Sequence, residues 1–225
     1  MADDNAQYFI KELAFEQALA NLLHTSHGWD GGIMMNPTED DLVRNWANIL
    51  YDNNRDINRL GDAPLTATEM QQVIDKVNMC AGPFEVNRLI NGGQVEIKRD
   101  NPADSHNCGK VVYLKIFDAQ EISAGQSRYQ VVRQPRFKAS HPLAGDRRGD
   151  VMLLINGMPV VHVELKRSVV DVSQATFQIK RYMHEGVFST GIFKMVQIFV
   201  AMTPEKTLYF ANTGAEDNFK PEFFF

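Results

Sequence analysis

Residues 149–168 read GDVMLLINGMPVVHVELKRS, and this stretch decides the fold that we expect. Two runs rich in Val, Leu and Ile, at 150–155 and 160–166, flank an Asn-Gly pair that is typical of hairpin turns. Alternation along the second run places three apolar and three polar side chains on opposite faces: Val161, Val163 and Leu165, then His162, Glu164 and Lys166. The apolar set should face the sheet interior, so the polar set should line a cleft or face solvent.

The register of this hairpin decides whether Asp150 reaches Glu164. A two-residue turn at 156–157 would put Asp150 opposite Val163, on the wrong face. A three-residue loop over 156–158, with a glycine-assisted bulge, would put Asp150 opposite Glu164 instead. We therefore predict the three-residue loop, because the two-residue register would need a bend in the strand for a site to assemble.

Two neighbouring carboxylates require a counter-charge. At about 4 Å and an effective dielectric of about 20 they repel by roughly 4 kcal/mol. Lys166 shares their face but lies beyond Glu164, so it neutralises only part of the charge. A hard divalent cation resolves the conflict, since oxygen ligands select magnesium, manganese or calcium. The pattern predicts a magnesium-dependent phosphodiesterase site formed by Asp150, Glu164 and Lys166, with the lysine holding the attacking water or the phosphate.

Taken alone, an acid and a lysine two residues apart usually form a solvated face with a weak ion pair. The context favours a functional site here, because Asp150 opens the first strand of a hairpin that a helix follows. That helix, at about 172–185, places Gln178 and Tyr182 on one face. We expect this pair to reach DNA phosphate or to orient Lys166, while a polar border of an amphipathic helix is the alternative.

The net charge of -5 is unlike that of a free-standing DNA binder, which usually has a basic excess. Residues 127–149 nevertheless hold six Lys or Arg and one acid. This segment and the later helix supply six candidate DNA-binding residues: Arg136, Lys138, Arg147, Arg148, Lys180 and Arg181. A solvated basic loop explains the same pattern equally well.

The 225 residues suit one α/β domain, with a mainly helical part at 5–90 and a catalytic sheet and helix at 94–210. Helices are expected at 5–24, from near Thr38, and from Thr66 or Thr68 to about Cys80. Strands are expected in seven places: 95–98, 110–117, 128–133, 150–155, 160–166, 195–201 and 207–210. With no signal peptide, no apolar run long enough for a membrane and two unpaired cysteines, we expect a cytoplasmic protein. The terminal Phe223-Phe224-Phe225 favours a cut through a longer polypeptide, and docking of this tail is the alternative.

An ordered series of motifs resembles the PD-(D/E)-x-K nuclease superfamily. The series resembles more closely the N-terminal endonuclease domain of the R subunit of type I restriction-modification enzymes, over about 14–210. The matching segments are Phe15-Glu16, Gly28-Trp29, 87–92 with Val95-Glu96, 148–151, 155–159, 163–166, and Gln178-Ile179 with Tyr182. Gly149 departs from the pattern, which has proline before the first acid.

The resemblance implies a restriction-endonuclease-like (RecB-type) fold, a mixed β-sheet flanked by helices. It also implies a site in which Asp150, Glu164 and the Leu165 backbone carbonyl bind Mg²⁺, for which Mn²⁺ can substitute. Lys166 would serve catalysis, and Gln178 and Tyr182 would assist at the DNA backbone. Glu16 matches the acid of the N-terminal helix that can approach the metal.

The same resemblance implies a function within a larger machine. Such a domain would cut unmodified foreign double-stranded DNA after ATP-driven translocation by motor domains that are absent from this chain. ATP would serve only those domains, and the partners would be modification and specificity subunits. Two alternatives remain: a non-cutting docking module of the same complex, and a stand-alone repair nuclease of the same fold.

Overall fold

A six-stranded mixed sheet is the centre of the computed structural model, which describes residues 8–92, 94–116, 127–138, 146–214, 219–220 and 224–225. The helices are α1 (Glu12–Ser26), α2 (Glu39–Asn53), α3 (Ala67–Met79), α4 (Pro83–Asn91) and α5 (Ser173–His184), with a 3₁₀ turn at Ile192–Met195. The strands are β1 (Ile33–Met35), β2 (Gln94–Lys98), β3 (Val111–Lys115), β4 (Tyr129–Arg133), β5 (Arg136–Phe137), β6 (Arg147–Arg148), β7 (Val151–Ile155), β8 (Met158–Leu165), β9 (Ile198–Met202) and β10 (Thr207–Ala211).

The strand order in the main sheet is β1-β4-β7-β8-β9-β10. Strand β7 is antiparallel to both of its neighbours, β4 and β8, while β8 and β9 are parallel. Helix α1 covers one face, where Phe15 and Ala20 belong to a cluster with Val151 and Val163. Helix α5 covers the other face, and its buried Ile179 joins the larger core cluster.

Burial of both sheet faces corrects one expectation from the sequence. The polar face of β8 was expected to line a cleft or face solvent, yet His162 and Glu164 are fully buried. The reason is that α5 and the residues after it pack over this face. A buried carboxylate is costly unless a partner or a cation compensates it, so this burial increases the demand for a counter-charge.

The predicted helix starts at Thr38 and Thr66 are confirmed. The side chain of each threonine accepts a hydrogen bond from the backbone N–H three residues later. The side chains of Asp41 and Glu69 accept from the backbone N–H of the threonine in turn, which completes two capping boxes. The first helix begins at Glu12 rather than at residue 5, and residues 1–7 lie outside the described part of the chain.

The predicted division into helices at 5–90 and a catalytic sheet at 94–210 needs two corrections. Strand β1 lies inside the helical part and pairs in parallel with β4. Strands β2 and β3 form a separate two-stranded sheet and do not join the main one. Arg99, which follows β2, fixes this smaller sheet to α3 through a buried contact with Glu69 (2.5 Å), and Asp104 between β2 and β3 contacts the same guanidinium (2.9 Å).

The last two residues dock onto the edge of the main sheet. The backbone of Phe225 exchanges two hydrogen bonds of 3.0 Å with Tyr209, and Phe224 stacks on Phe210. Phe223 lies outside the described residues. None of the described helices combines the length and apolar character that crossing a membrane would need.

Candidate active site

The β7–β8 hairpin brings Asp150 to Glu164 by a different route from the predicted one. The turn has two residues, because Asn156 and Gly157 both adopt positive φ angles of 50° and 83°, and the predicted three-residue loop is wrong. The register then shifts by one residue, since Leu154 pairs with Pro159 whereas Leu153 pairs with Val161.

Val160 is therefore the extra residue of a β-bulge. Proline has no N–H to donate to the ladder, and Pro159 directly precedes this irregularity. Beyond the bulge Val151 pairs with Val163, so the next position along the two strands sets Asp150 against Glu164. The strand bend that a two-residue turn requires is thus supplied by the bulge.

Asp150 and Glu164 form an acidic pair with little compensation. The backbone N–H of Leu165 donates to Oδ2 of Asp150 over 2.7 Å. Glu164 is fully buried, and apart from its contacts with Asp150 its oxygens have no hydrogen-bond partner among the described residues. Burial, and then the charge of Glu164, raise the pKa of Asp150 well above its usual range. Burial likewise raises the pKa of Glu164, and the charge of Lys166 opposes that shift.

Lys166 lies at the end of β8, next to this pair. Its Nζ donates to the Leu165 carbonyl over 2.8 Å and lies 3.5 Å from Oε2 of Glu12 on α1. A carbonyl oxygen has two lone pairs, so the Leu165 carbonyl keeps one acceptor position for a cation. Phe9 and Ser168 form two hydrogen bonds of 3.0 Å, from Phe9 N–H to Ser168 Oγ and from Ser168 N–H to the Phe9 carbonyl. These bonds hold the segment before α1 over this end of the strand.

Gln178 and Tyr182 connect α5 to the strand segment that leads to Asp150. Gln178 Nε2 donates to the Tyr182 hydroxyl over 2.9 Å, and that hydroxyl donates to the Arg148 carbonyl over 2.9 Å. Tyr182 is part of the core and not only a polar border of the helix, because its ring is buried against Phe137. Burial, and then the charge of Glu164, raise the pKa of Tyr182 to about 12, so the hydroxyl keeps its proton.

Glu16 lies near the pair but has partners of its own. Its Oε1 accepts from Arg133 Nε over 2.7 Å, and its Oε2 accepts from Gln134 Nε2 over 3.1 Å. Glu16 and Asp150 line the same cleft, which has a volume of about 790 Å³. The structure therefore places Glu16 beside the cleft, with its charge balanced by a buried arginine.

The six candidate DNA-binding residues differ in their exposure and in their acidic partners. Arg147 forms a two-bond pair with Glu185 at 2.9 and 3.0 Å, and Arg181 lies 4.0 Å from the same carboxylate. Lys138 lies 3.6 Å from an aspartate of α2. Lys180 is partly buried. Arg136 and Arg148 are exposed and oppose each other in the β5–β6 hairpin, and Arg148 lines the cleft with Asp150. Residues 139–145 of the basic segment lie outside the described residues.

His162 and Gly149 are site residues to which the sequence reasoning gave no role. Nε2 of His162 lies 2.9 Å from Oε1 of Glu164, although the two are not aligned as a hydrogen bond. Burial lowers the pKa of His162 to about 4, so its ring is neutral. A Cβ at Gly149 would lie 2.7 Å from the His162 ring, so glycine fits here where proline would collide. The sequence did hold a signal for both residues, because Gly149 stands where the family pattern has proline and His162 shares the strand face of Glu164.

The donor groups around Asp150 and Glu164 decide whether the site fits a divalent cation. Within the described residues, no group of three or more His, Cys, Asp and Glu side chains is arranged to hold a metal ion. The candidate donors are two carboxylates and one peptide carbonyl, from Asp150, Glu164 and Leu165. Unpartnered buried oxygens on Glu164 fit a hard cation whose remaining positions water and phosphate oxygens would fill.

A mixed α/β sheet that gathers two carboxylates and a lysine beside a cleft has the general features of a nuclease domain. The chain belongs to the family described as the type I restriction enzyme R protein N terminus, because the model of that family matches residues 9–218.

Several similar proteins are named as endonuclease subunits of type I restriction enzymes. The SsaAORF53P subunit of Staphylococcus saprophyticus is 30% identical over 205 residues, which cover 91% of this chain and 20% of the relative. The SauMSSORF170P subunit of Staphylococcus aureus is 31% identical over 175 residues, 78% of this chain and 17% of the relative. The EcoprrI subunit of Escherichia coli is 34% identical over 110 residues, 48% of this chain and 33% of the relative. The chain thus spans about a fifth of the length of the staphylococcal relatives.

Proposed function

We propose that this chain holds the magnesium-dependent endonuclease site of a type I restriction R subunit, in a RecB-type fold. The observation that carries the proposal is the close pairing of the buried Glu164 carboxylate with Asp150, next to Lys166, where burial raises the pKa of both acids. Natural proteins rarely keep an uncompensated buried charge unless a ligand uses it. A docking module without catalysis would have no need of this costly pair.

Asp150, Glu164 and the Leu165 carbonyl would hold Mg²⁺, or Mn²⁺ in its place. The bound cation would lower the pKa of a water molecule and offset the charge that grows on the phosphate. Lys166 would hold the attacking water or a phosphate oxygen, since its Nζ lies next to the acidic pair. Glu16 lies beside the same cleft and is a second acid that a cation could approach.

Gln178 and Tyr182 would act chiefly by holding the protein backbone near Asp150. Their two hydrogen bonds end on the Arg148 carbonyl, two residues before Asp150. They would therefore fix the segment that carries the first metal ligand. The exposed Arg148 and Arg136 would meet the DNA backbone at the cleft, where two opposed cations favour an anion between them.

The whole protein would supply what this chain lacks. With a net charge of -5, the chain would bind double-stranded DNA weakly unless motor domains deliver it. ATP would drive those motor domains, and modification and specificity subunits would select unmodified foreign DNA in the bacterial cytoplasm. The similarity to endonuclease subunits of type I restriction enzymes supports this part of the proposal.

Plasmid cleavage by an assembled restriction complex tests this proposal. Carrying Asp150→Ala in the R subunit should abolish cutting while ATP hydrolysis by the motor continues. Glu205→Gln, at an exposed acid away from the cleft, is the matched control and should cut normally. Persistent cutting by the Asp150→Ala complex would refute the site. Robust ATP-independent cutting by the chain alone would favour a stand-alone nuclease.

A further inference from the structure

The imidazole of His162 lies within hydrogen-bond reach of the Glu164 carboxylate. The two residues are separated by one position on β8, so their side chains share a face of the sheet. Both side chains are fully buried, and Nε2 lies 2.9 Å from Oε1. Both ring nitrogens lack any other hydrogen-bond partner among the described residues, and the carboxylate has its contacts with Asp150 besides.

Aromatic rings hold the imidazole in place. The ring centroids of Phe188, Phe137, Tyr182 and Phe199 lie 5.2, 5.7, 6.0 and 6.3 Å from that of His162. Gly149 closes the remaining side, because even one added carbon there would lie 2.7 Å from the ring. The imidazole therefore has little freedom to turn Nε2 away from the carboxylate.

The surroundings give this contact a specific use. The phenylalanine rings offer no oxygen that could accept a hydrogen bond from the imidazole, so the carboxylate of Glu164 is the acceptor within its reach. Carboxylates that bind metals are usually anchored by a hydrogen bond to the oxygen that faces away from the metal, which fixes their orientation. A neutral N–H supplies that anchor without competing with a cation for position.

We propose that His162 is a positioning residue for Glu164: its Nε2–H donates to Oε1 and leaves Oε2 free for the divalent cation. A small rotation of the carboxylate aligns the 2.9 Å contact as a hydrogen bond. This inference rests on the proposed function, because it assigns His162 a role at the same cation site. It also assigns a role to Gly149, which leaves room for the imidazole.

Calorimetric titration of the chain with MnCl₂ tests the inference. His162→Phe removes the donor but keeps a ring, and it should weaken Mn²⁺ binding by about 10-fold or more. His162→Gln keeps an N–H at a similar reach and should recover most of that loss. Thermal unfolding without metal should show that His162→Phe remains folded at the temperature of the titration, so that a lower Mn²⁺ affinity reports the lost donor and not a loss of the fold. His162→Leu, which is smaller, repeats the donor test if the phenylalanine ring disturbs the packing.

Equal Mn²⁺ affinity in the wild type and the folded His162→Phe or His162→Leu variant would overturn the inference. Nitrogen coupling of a directly bound ligand in pulsed electron paramagnetic resonance of the Mn²⁺ complex would also overturn it, because His162 would then coordinate the metal itself. A wild-type chain that binds no Mn²⁺ would refute the proposed metal site as well, which separates failure of the function from failure of the positioning role.

Discussion

Replacing Glu164 by glutamine should stabilise the metal-free chain while removing its ability to hold a cation. The glutamate is fully buried, and its closest polar neighbour is a second carboxylate, that of Asp150. The glutamine amide has nearly the same shape, carries no charge, and can donate a hydrogen bond to Asp150. A residue kept for folding would show the opposite effect, because its removal would lower stability.

The size of the effect follows from the electrostatics of the pair. Two charges at about 4 Å repel by roughly 4 kcal/mol at an effective dielectric of about 20. Protonation relieves part of this repulsion near neutral pH, so we expect a gain of about 1–3 kcal/mol. For a domain of this size the gain raises the unfolding midpoint by about 3–10 °C.

The pH dependence gives the prediction a definite sign. Burial, followed by the repulsion of Glu164, raises the pKa of Asp150, and burial raises that of Glu164, in both cases to about 8. The folded chain therefore binds these protons more tightly than the unfolded chain does. The metal-free wild type should lose stability as the pH rises from the ordinary carboxyl range to about pH 8, and the variant should lose less.

Thermal unfolding at several pH values between 5 and 9, with and without MnCl₂, measures both effects. Mn²⁺ should raise the midpoint of the wild type and leave that of Glu164→Gln unchanged. Glu205→Gln, at an exposed acid, should behave like the wild type throughout. A Glu164→Gln variant that is less stable than the wild type at pH 8 without metal would refute the reasoning.

Three further predictions concern the surroundings of the site. Tyr182→Phe removes the hydroxyl that donates to the Arg148 carbonyl, so we expect the free energy of unfolding in urea to fall by about 1 kcal/mol. The assembled complex should also cleave plasmid more slowly, and an unchanged cleavage rate would contradict this role of the hydroxyl. Gly149→Ala inserts a carbon 2.7 Å from the His162 ring, so it should lower the midpoint of thermal unfolding and weaken Mn²⁺ binding, and a neutral result would disprove the close packing. Arg99→Met leaves the buried acids Glu69 and Asp104 without their cation, so the free energy of unfolding in urea should fall by about 3–5 kcal/mol. A variant as stable as the wild type would show that these ion pairs do not hold the smaller sheet.

The parts of the fold that local sequence determines could be predicted. The capping boxes at Thr38 and Thr66 are set by residues three positions apart, so the helix starts followed from the sequence. The hairpin that carries Asp150 and Glu164 was also predictable, because Asn-Gly between two β-branched runs has few other solutions. Strand β1 has only three residues, and its pairing with β4 depends on distant chain segments.

The details of the site depended on packing that the sequence does not display. The bulge at Val160 is one residue in length, and either a longer turn or a bulge can correct the register, so alternation alone could not choose between them. The burial of His162 and Tyr182 follows from the way α5 crosses the sheet, which no periodicity in either segment specifies. The separate pairing of Arg136 with Arg148 likewise depends on a short hairpin of two-residue strands.

Anomalous diffraction from a crystal of this chain soaked in manganese is the most direct test of the central claim. The proposal predicts a strong anomalous peak between the carboxylates of Asp150 and Glu164, within bonding distance of an oxygen of each. Absence of a peak there at saturating Mn²⁺, or a peak that contacts neither carboxylate, would contradict the claim that these residues form the metal site of a nuclease.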